Sequence, residues 1–149
     1  RDELERTDFV PFKFLADLPW AMTGHLLFDA IDPAAAITVS ARGVKEIIRG
    51  HIGFDGLLLS DDLSMQALGG SLAERAARSL AAGCDIALHC NGRMDEMTGI
   101  AASTGAMTER AATRFAAGRS LLDRHRDPAG RTGLADAAAR LATLLPEWG

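Results

Sequence analysis

Two carboxylates stand side by side in GLLLSDDLSM, where Asp61 and Asp62 follow three leucines and a serine. An acidic pair leaving a buried strand suits three kinds of work: nucleophilic attack on carbon, cation-assisted phosphoryl transfer, or capping of a turn. Successive side chains of an extended chain point to opposite faces. Asp61 therefore continues the face of Leu57 and Leu59, and Asp62 that of Leu58 and Ser60. One of the two is expected to enter a site while the other caps the loop or the helix that follows; parity does not choose between them.

The same parity bears on mechanism. A retaining glycosidase places two catalytic groups on either side of one bond, with carboxyl groups about 5–5.5 Å apart. Neighbours that diverge cannot fill both roles, so a proton donor would have to come from another segment. Mg-dependent phosphotransfer through Asp61 and Asp62 would want a further strand-end aspartate and a nearby lysine. Asp85 opens its strand instead, and Lys13 and Lys45, the only lysines, fall outside the expected site loops. Leu63 also occupies the third place of an Asp-x-Asp pattern.

The elements that must position the pair are legible from spacing. RDELERTDFVPF reads as a polar helix with Phe9 and Phe12 turned inward, stopping near Pro11. Trp20 to Thr23 reads as a first strand opening at Gly24 and His25, followed by a loop punctuated by Pro33. Ser40 is placed to cap a helix whose Val44, Ile47, Ile48 and Ile52 share one face, with Gly50 or Gly53 at its end. Leu57 to Ser60 form a second strand. Ser71 and Glu74 have the spacing of a capping box, and Gly83 falls where a helix-terminating glycine belongs. DIALHC reads as a third strand ending at Asn91 and Gly92. Helices follow at 94–102 and 107–122, DRHRDPAGRTG reads as a linker, and 141–145 as a last helix.

Apolar strands alternating with helices indicate parallel pairing in an α/β fold, with sites at the carboxyl ends of the strands. Asp61, Asp62, His25 and Asn91 all fall there. A complete (β/α)₈ barrel takes about 250 residues, more than the 149 here.

Composition narrows the classes. With 16 Lys+Arg against 20 Asp+Glu, a net charge of −4 and no clustered basic face, nucleic-acid binding is demoted. No apolar run approaches the roughly 20 residues that span a bilayer, so no membrane partner is expected, and the first residues lack the pattern of a signal peptide. Cys84 and Cys90, separated by a strand, would lie roughly 20 Å apart at about 3.3 Å per residue, beyond disulfide reach. Free thiols fit a reducing compartment.

The ordered set MTGHLLFDAIDP, GFDGLLLSDDLSMQAL and SLAERAARSLAAGCDIALHCN, within Leu18 to Asn91, resembles bacterial family 3 β-N-acetylhexosaminidases, which remove terminal N-acetylglucosamine from muropeptides in peptidoglycan recycling. The resemblance implies that Asp61, the first aspartate of SDDLSM, is the nucleophile of a retaining mechanism, and that Asp62 is a supporting residue. His25, at the pocket mouth, becomes a sugar contact, with a histidine held by loop backbone as the alternative. Met65 is expected either to pack against the sugar or to sit in the loop core. No metal and no organic cofactor is implied, because a carboxylate and a proton shuttle suffice.

The departures matter as much. The family's acid/base histidine lies on a Lys-His-Phe-Pro-Gly-His-Gly loop, and no such stretch occurs here. The resemblance thus implies the C-terminal portion of a (β/α)₈ TIM barrel, about three βα units over strands six to eight. Residues 1–122 would form those units, and 123–149 a linker and helical tail. Its partners would be an N-acetylglucosamine-containing muropeptide and the remainder of the barrel upstream, in the cytoplasm. Alone, the chain is expected not to be a competent hydrolase and to aggregate through its uncovered sheet edge. A non-catalytic α/β sugar-binding module is the alternative.

Overall fold

The computed structural model describes residues 1–125 together with 133, 136–137, 139–141 and 143. Arg1–Gly118 is one compact unit and Arg119–Gly149 another. In the second, Arg119 and Asp123 pair across one helical turn at 3.9 Å, and the Thr143 hydroxyl donates to the Ala139 carbonyl at 2.9 Å. Residues 126–132 of the expected linker, and 142, 144 and 145 of the expected last helix, lie outside the described residues.

The first unit is built around parallel strands β1 (Trp20–Met22) and β2 (Leu57–Leu59), paired Trp20 to Leu57, Ala21 to Leu58 and Met22 to Leu59. Gly56 of the GFDG run owes its identity to this pairing: a Cβ there would lie 2.5 Å from the Pro19 carbonyl oxygen and 2.7 Å from that of Leu18. Only a residue without a side chain lets the two strands start so close together.

The segment expected as a third strand is attached in a different way. Its backbone bridges β2 only between Leu59 and Ile86. Two side chains stand in for further ladder partners. The Asp85 carboxylate accepts the Leu58 N–H at 2.9 Å, and the Ser60 hydroxyl accepts the Leu88 N–H at 2.8 Å. Backbone contacts flank them, with the Ser60 N–H reaching the Ile86 carbonyl at 2.8 Å and the Leu63 N–H that of Leu88 at 2.9 Å. The Asp85 and Ile86 N–H groups also reach the Leu58 carbonyl, at 2.8 and 3.2 Å, so a regular strand is replaced by an extended segment whose register is held by backbone and side chains together.

The N-terminal reading needs correction. Two short helices form, α1 (Asp2–Arg6) and α2 (Val10–Phe14). Pro11 sits in the first turn of α2, where its missing N–H costs nothing, and does not end a helix. Phe9 is buried with Ile31, Ile37 and Ile47, but Phe12 is 59% exposed. Phe14, Leu15, Leu18 and Met22 are exposed as well, and Phe12, Leu15, Leu18 and Met22 share the lining of one apolar cavity.

After a 3-10 turn (Ile37–Val39), the expected helix begins at Ser40, whose hydroxyl accepts the Gly43 N–H at 2.9 Å and donates to Asp32 at 2.6 Å. It is wound more widely than expected. Gly43–His51 is a π-helix, and its ladder closes with the Ile52 N–H on the Ile47 carbonyl. Val44 and Ile47 are buried, with Ile48 and Ile52 packed against the same cores.

The capping box forms as read: α3 (Leu72–Ala82) has the Ser71 hydroxyl on the Glu74 N–H and the Glu74 carboxylate on the Ser71 N–H. Gly83 follows with φ 120°, a left-handed turn that favours glycine. Helix α4 (Met94–Thr104) packs on α3 through Leu68, Ala76 and Ile100. Helix α5 (Glu109–His125) sends Arg114 to the start of the sheet. An apolar cavity of about 480 Å³, lined by Phe9, Trp20, Ile31, Ile47, Phe54 and Leu58, lies between the N-terminal helices and the π-helix, and neither Asp61 nor Asp62 lines it.

Candidate functional site

The carboxyl ends of β1, β2 and the third extended segment bring His25, Asp61, Asp62 and Asn91 into one loop cluster. The two aspartates differ in their surroundings. Asp62 turns back into the protein: one oxygen accepts the N–H groups of Ser64 at 3.0 Å and Cys90 at 3.1 Å, and the other takes the Ser64 hydroxyl at 2.5 Å. The Ser64 hydroxyl, then the two amides and nearby His89, hold its carboxyl below the usual carboxylate range, against the opposing push of burial. Asp61 accepts only the Asp62 N–H at 2.9 Å among the described residues, which leaves its second oxygen without a protein donor. The pair thus offers one committed carboxylate and one open one.

The loop that carries them is clamped from α3. Arg75 donates to the carbonyls of Leu63 at 2.8 Å, Met65 at 2.9 Å and Gly70 at 3.0 Å. Leu63 and Leu68 anchor the loop below, fully or almost fully buried. Met65 is 45% exposed, so it belongs to the surface of the loop and not to its core.

His25, expected at the sugar, has both ring nitrogens committed to the protein. Nδ1 lies 2.8 Å from the Thr38 hydroxyl, and Nε2 donates to the Asp62 carbonyl at 2.9 Å. The Thr38 hydroxyl is also 2.8 Å from that of Thr23, and Thr23 accepts the Asp61 N–H at 3.2 Å. Sequence reading passed over Thr23, Thr38 and Arg75. A signal existed for Thr23, a hydroxyl two residues before His25 and hence on its side of an extended chain.

On the third segment, the His89 side chain is 6% exposed, with Nε2 3.0 Å from Glu96 of α4. Cys90 lies against the acidic pair, and burial, followed by the charges of Asp62 and Asp61, pushes its thiol up. Cys84 is buried, and its thiol is pushed up to about 12, chiefly by burial. Both cysteines are free. Among the described residues no three His, Cys, Asp or Glu side chains gather as a cation site, and no helix is long and apolar enough to cross a membrane.

The commitment of Asp62 has a pH consequence. A carboxylate whose pKa is lowered by folding stabilises the fold above its unfolded value of about 3.9, and that contribution is lost as pH falls through the depressed folded value. Asp62→Asn is therefore expected to lower the urea midpoint at pH 7, with the gap from wild type closing as the pH is taken below the ordinary carboxylate range. A gap that stays constant down to pH 2 would contradict this.

Comparison with known proteins supplies the relationship. The model of the glycosyl hydrolase family 3 N terminal domain matches residues 1–116. The beta-hexosaminidase of Alkalilimnicola ehrlichii is 45% identical over 95 residues, which cover 61% of this chain and 27% of that protein. The beta-hexosaminidase of Pseudomonas aeruginosa is 42% identical over 104 residues, covering 68% of this chain and 31% of that protein. NagZ from Neisseria gonorrhoeae superposes with a TM-score of 0.68 at 28% identity, covering 90% of this chain and 40% of NagZ, and a second structure of it holds N-trifluoroacetyl-D-glucosamine. The chain thus spans about a third of the curated relatives' length and is a partial α/β domain of their kind. It belongs to glycosyl hydrolase family 3 and is related to the family's beta-hexosaminidases.

Proposed function

We propose that this chain supplies the nucleophile half of a retaining β-N-acetylglucosaminidase acting on terminal, non-reducing N-acetylglucosamine of muropeptides. It corresponds, in this reading, to strands six to eight of a (β/α)₈ barrel over residues 1–122, with 123–149 as linker and tail. The observation that carries the reading is the asymmetry of the acidic pair: Asp62 is fully engaged, while Asp61 stands at the strand end with an open oxygen.

Asp61 attacks the anomeric carbon as the aglycone oxygen leaves with a proton from an acid on an upstream segment. Water then cleaves the resulting ester from the opposite side, returning the sugar with retained configuration and Asp61 as carboxylate. Asp62 holds the loop, and exposed Met65 flanks the sugar. In this reading His25, with both ring nitrogens engaged by Thr38 and the Asp62 carbonyl, holds the loop, the alternative to a sugar contact. The exposed apolar side chains of Phe12, Leu15, Leu18 and Met22 are where the remainder of the barrel packs. A cytoplasmic location belongs to the same reading, supported by the two free cysteines.

The test is covalent trapping. The full-length protein, treated with a 2-deoxy-2-fluoro glycosyl fluoride and digested, is expected to carry one sugar on the GLLLSDDLSM peptide, at Asp61. A label on Asp62, or on a peptide elsewhere in active enzyme, would overturn the assignment.

A further inference from the structure

Thr23, Thr38 and His25 form an unbroken run of hydrogen bonds that begins on the backbone of Asp61 and ends on that of Asp62. Both ends have a fixed direction. The Asp61 N–H donates to the Thr23 hydroxyl oxygen, and the Asp62 carbonyl, which can only accept, requires a proton on His25 Nε2. The interior follows from counting protons. With a neutral imidazole, Nδ1 is an acceptor, so the Thr38 O–H points at it across 2.8 Å and the Thr23 O–H points at Thr38. With a charged imidazole, Nδ1–H donates to Thr38, whose O–H turns to the Gly24 carbonyl at 3.1 Å. Thr23 still donates to Thr38 and still accepts from Asp61. Proton order at the two aspartates is therefore the same in either state, and the rearrangement stays inside the run.

Burial makes the run stiff. Thr38 is fully buried, Thr23 is 6% exposed, and neither hydroxyl has water to fall back on. Removing one hydroxyl leaves its neighbours unpaired in a dry site, which costs more than the hydrogen bond itself contributes. Thr38 also comes from the 3-10 turn, an element that carries none of the acidic residues, so the network ties β1, that turn and the exit of β2 together.

We propose that Thr23 and Thr38 are positioning residues for the reaction: Thr23 holds the peptide unit that precedes Asp61, Thr38 acts through His25 on the carbonyl of Asp62, and together they fix the backbone around Asp61 so that its open oxygen is aimed before substrate arrives. The proposal rests on Asp61 being the nucleophile. A displaced attacking atom of about 1 Å costs up to roughly 10²-fold in rate, and that loss falls on turnover and not on sugar binding.

The experiment uses the full-length protein and three variants. Thr38→Val keeps shape and removes the hydroxyl, Thr38→Ser keeps the hydroxyl and removes the methyl, and His25→Asn withdraws the donor from the Asp62 carbonyl. Thr38→Val and His25→Asn are expected to lower kcat on an aryl N-acetyl-β-glucosaminide about 10- to 100-fold, with KM unchanged within about twofold and slower fluoro-sugar labelling of Asp61. Thr38→Ser is expected to recover most of the turnover, and thermal midpoints identify any variant that fails to fold. If Thr38→Val does not fold, His25→Asn decides alone. Wild-type kcat in a folded Thr38→Val or His25→Asn variant, or Thr38→Ser as slow as Thr38→Val, would overturn the positioning role while leaving Asp61 labelled. Absence of label on Asp61 in the wild type would remove the nucleophile reading and this one with it.

Discussion

Replacing Asp61 by glycine in the full-length protein is expected to lower turnover by roughly 10⁴- to 10⁶-fold, the scale on which a catalytic nucleophile is lost. The sugar pocket is untouched by the change, so binding of N-acetylglucosamine should persist. Azide makes the result diagnostic. With the carboxylate gone, azide can enter the vacated space and attack the anomeric carbon as an activated aryl aglycone departs. The bond forms on the face opposite the leaving group, and the product is an α-glycosyl azide, distinguished from the β-anomer by proton NMR. A loss of less than tenfold, or a β-azide, would show that Asp61 does not attack the sugar. Asp62→Gly, by contrast, removes the acceptor for three donors and leaves a collapsed loop that azide has no reason to rescue.

Replacing Asp85 by alanine is expected to destabilise the protein by about 3–5 kcal/mol, the cost of breaking a buried ion pair from one side. Asp85, whose side chain is 7% exposed, accepts from Arg49 at 2.8 Å and Arg114 at 3.0 Å as well as from the Leu58 N–H. Arg49 also donates to the carbonyls of Phe54 and Gly56, and Arg114 pairs with Asp55. Burial already pushes the Arg49 guanidinium down from its usual value, followed by the charge of Arg114, and Asp85 is the largest opposing influence. Removal of Asp85 leaves two arginines facing each other and one strand N–H without an acceptor. Asp85→Asn retains an acceptor for Leu58 and should recover part of the loss. Denaturant titration measures both; a cost below about 1 kcal/mol, typical of a solvated surface pair, would contradict the account.

Much of the framework was legible because it depends on local chemistry. The capping box at Ser71 and Glu74, the cap at Ser40 and the leucines of β2 are decided by their own neighbours in sequence. Alternation along a strand also anticipated that Asp61 and Asp62 would have different surroundings. Illegible features were those that depend on where distant segments meet. Phe12 looked like a partner of Phe9, yet a second helix, Val10–Phe14, turns it outward. Nothing near Gly56 in sequence shows that the closeness of the Pro19 carbonyl is what requires it. His25 read either as a sugar contact or as a histidine held by loop backbone, and its partners were not legible because Thr38 lies 13 residues away and the Asp62 carbonyl 37.

A ladder made of backbone groups is indifferent to mutation, since every residue except proline brings the same N–H and C=O. The third segment of this sheet has that protection only in part, through the Asp85 and Ile86 N–H groups on the Leu58 carbonyl and the Ser60 N–H on the Ile86 carbonyl. The rest of its junction is written in two side chains, Asp85 and Ser60, and that share is inherited residue by residue and can be lost by a single codon change. The segment carries Cys90, whose N–H holds Asp62. Divergence at either position can therefore loosen the loop that presents Asp61 without altering the acidic pair itself.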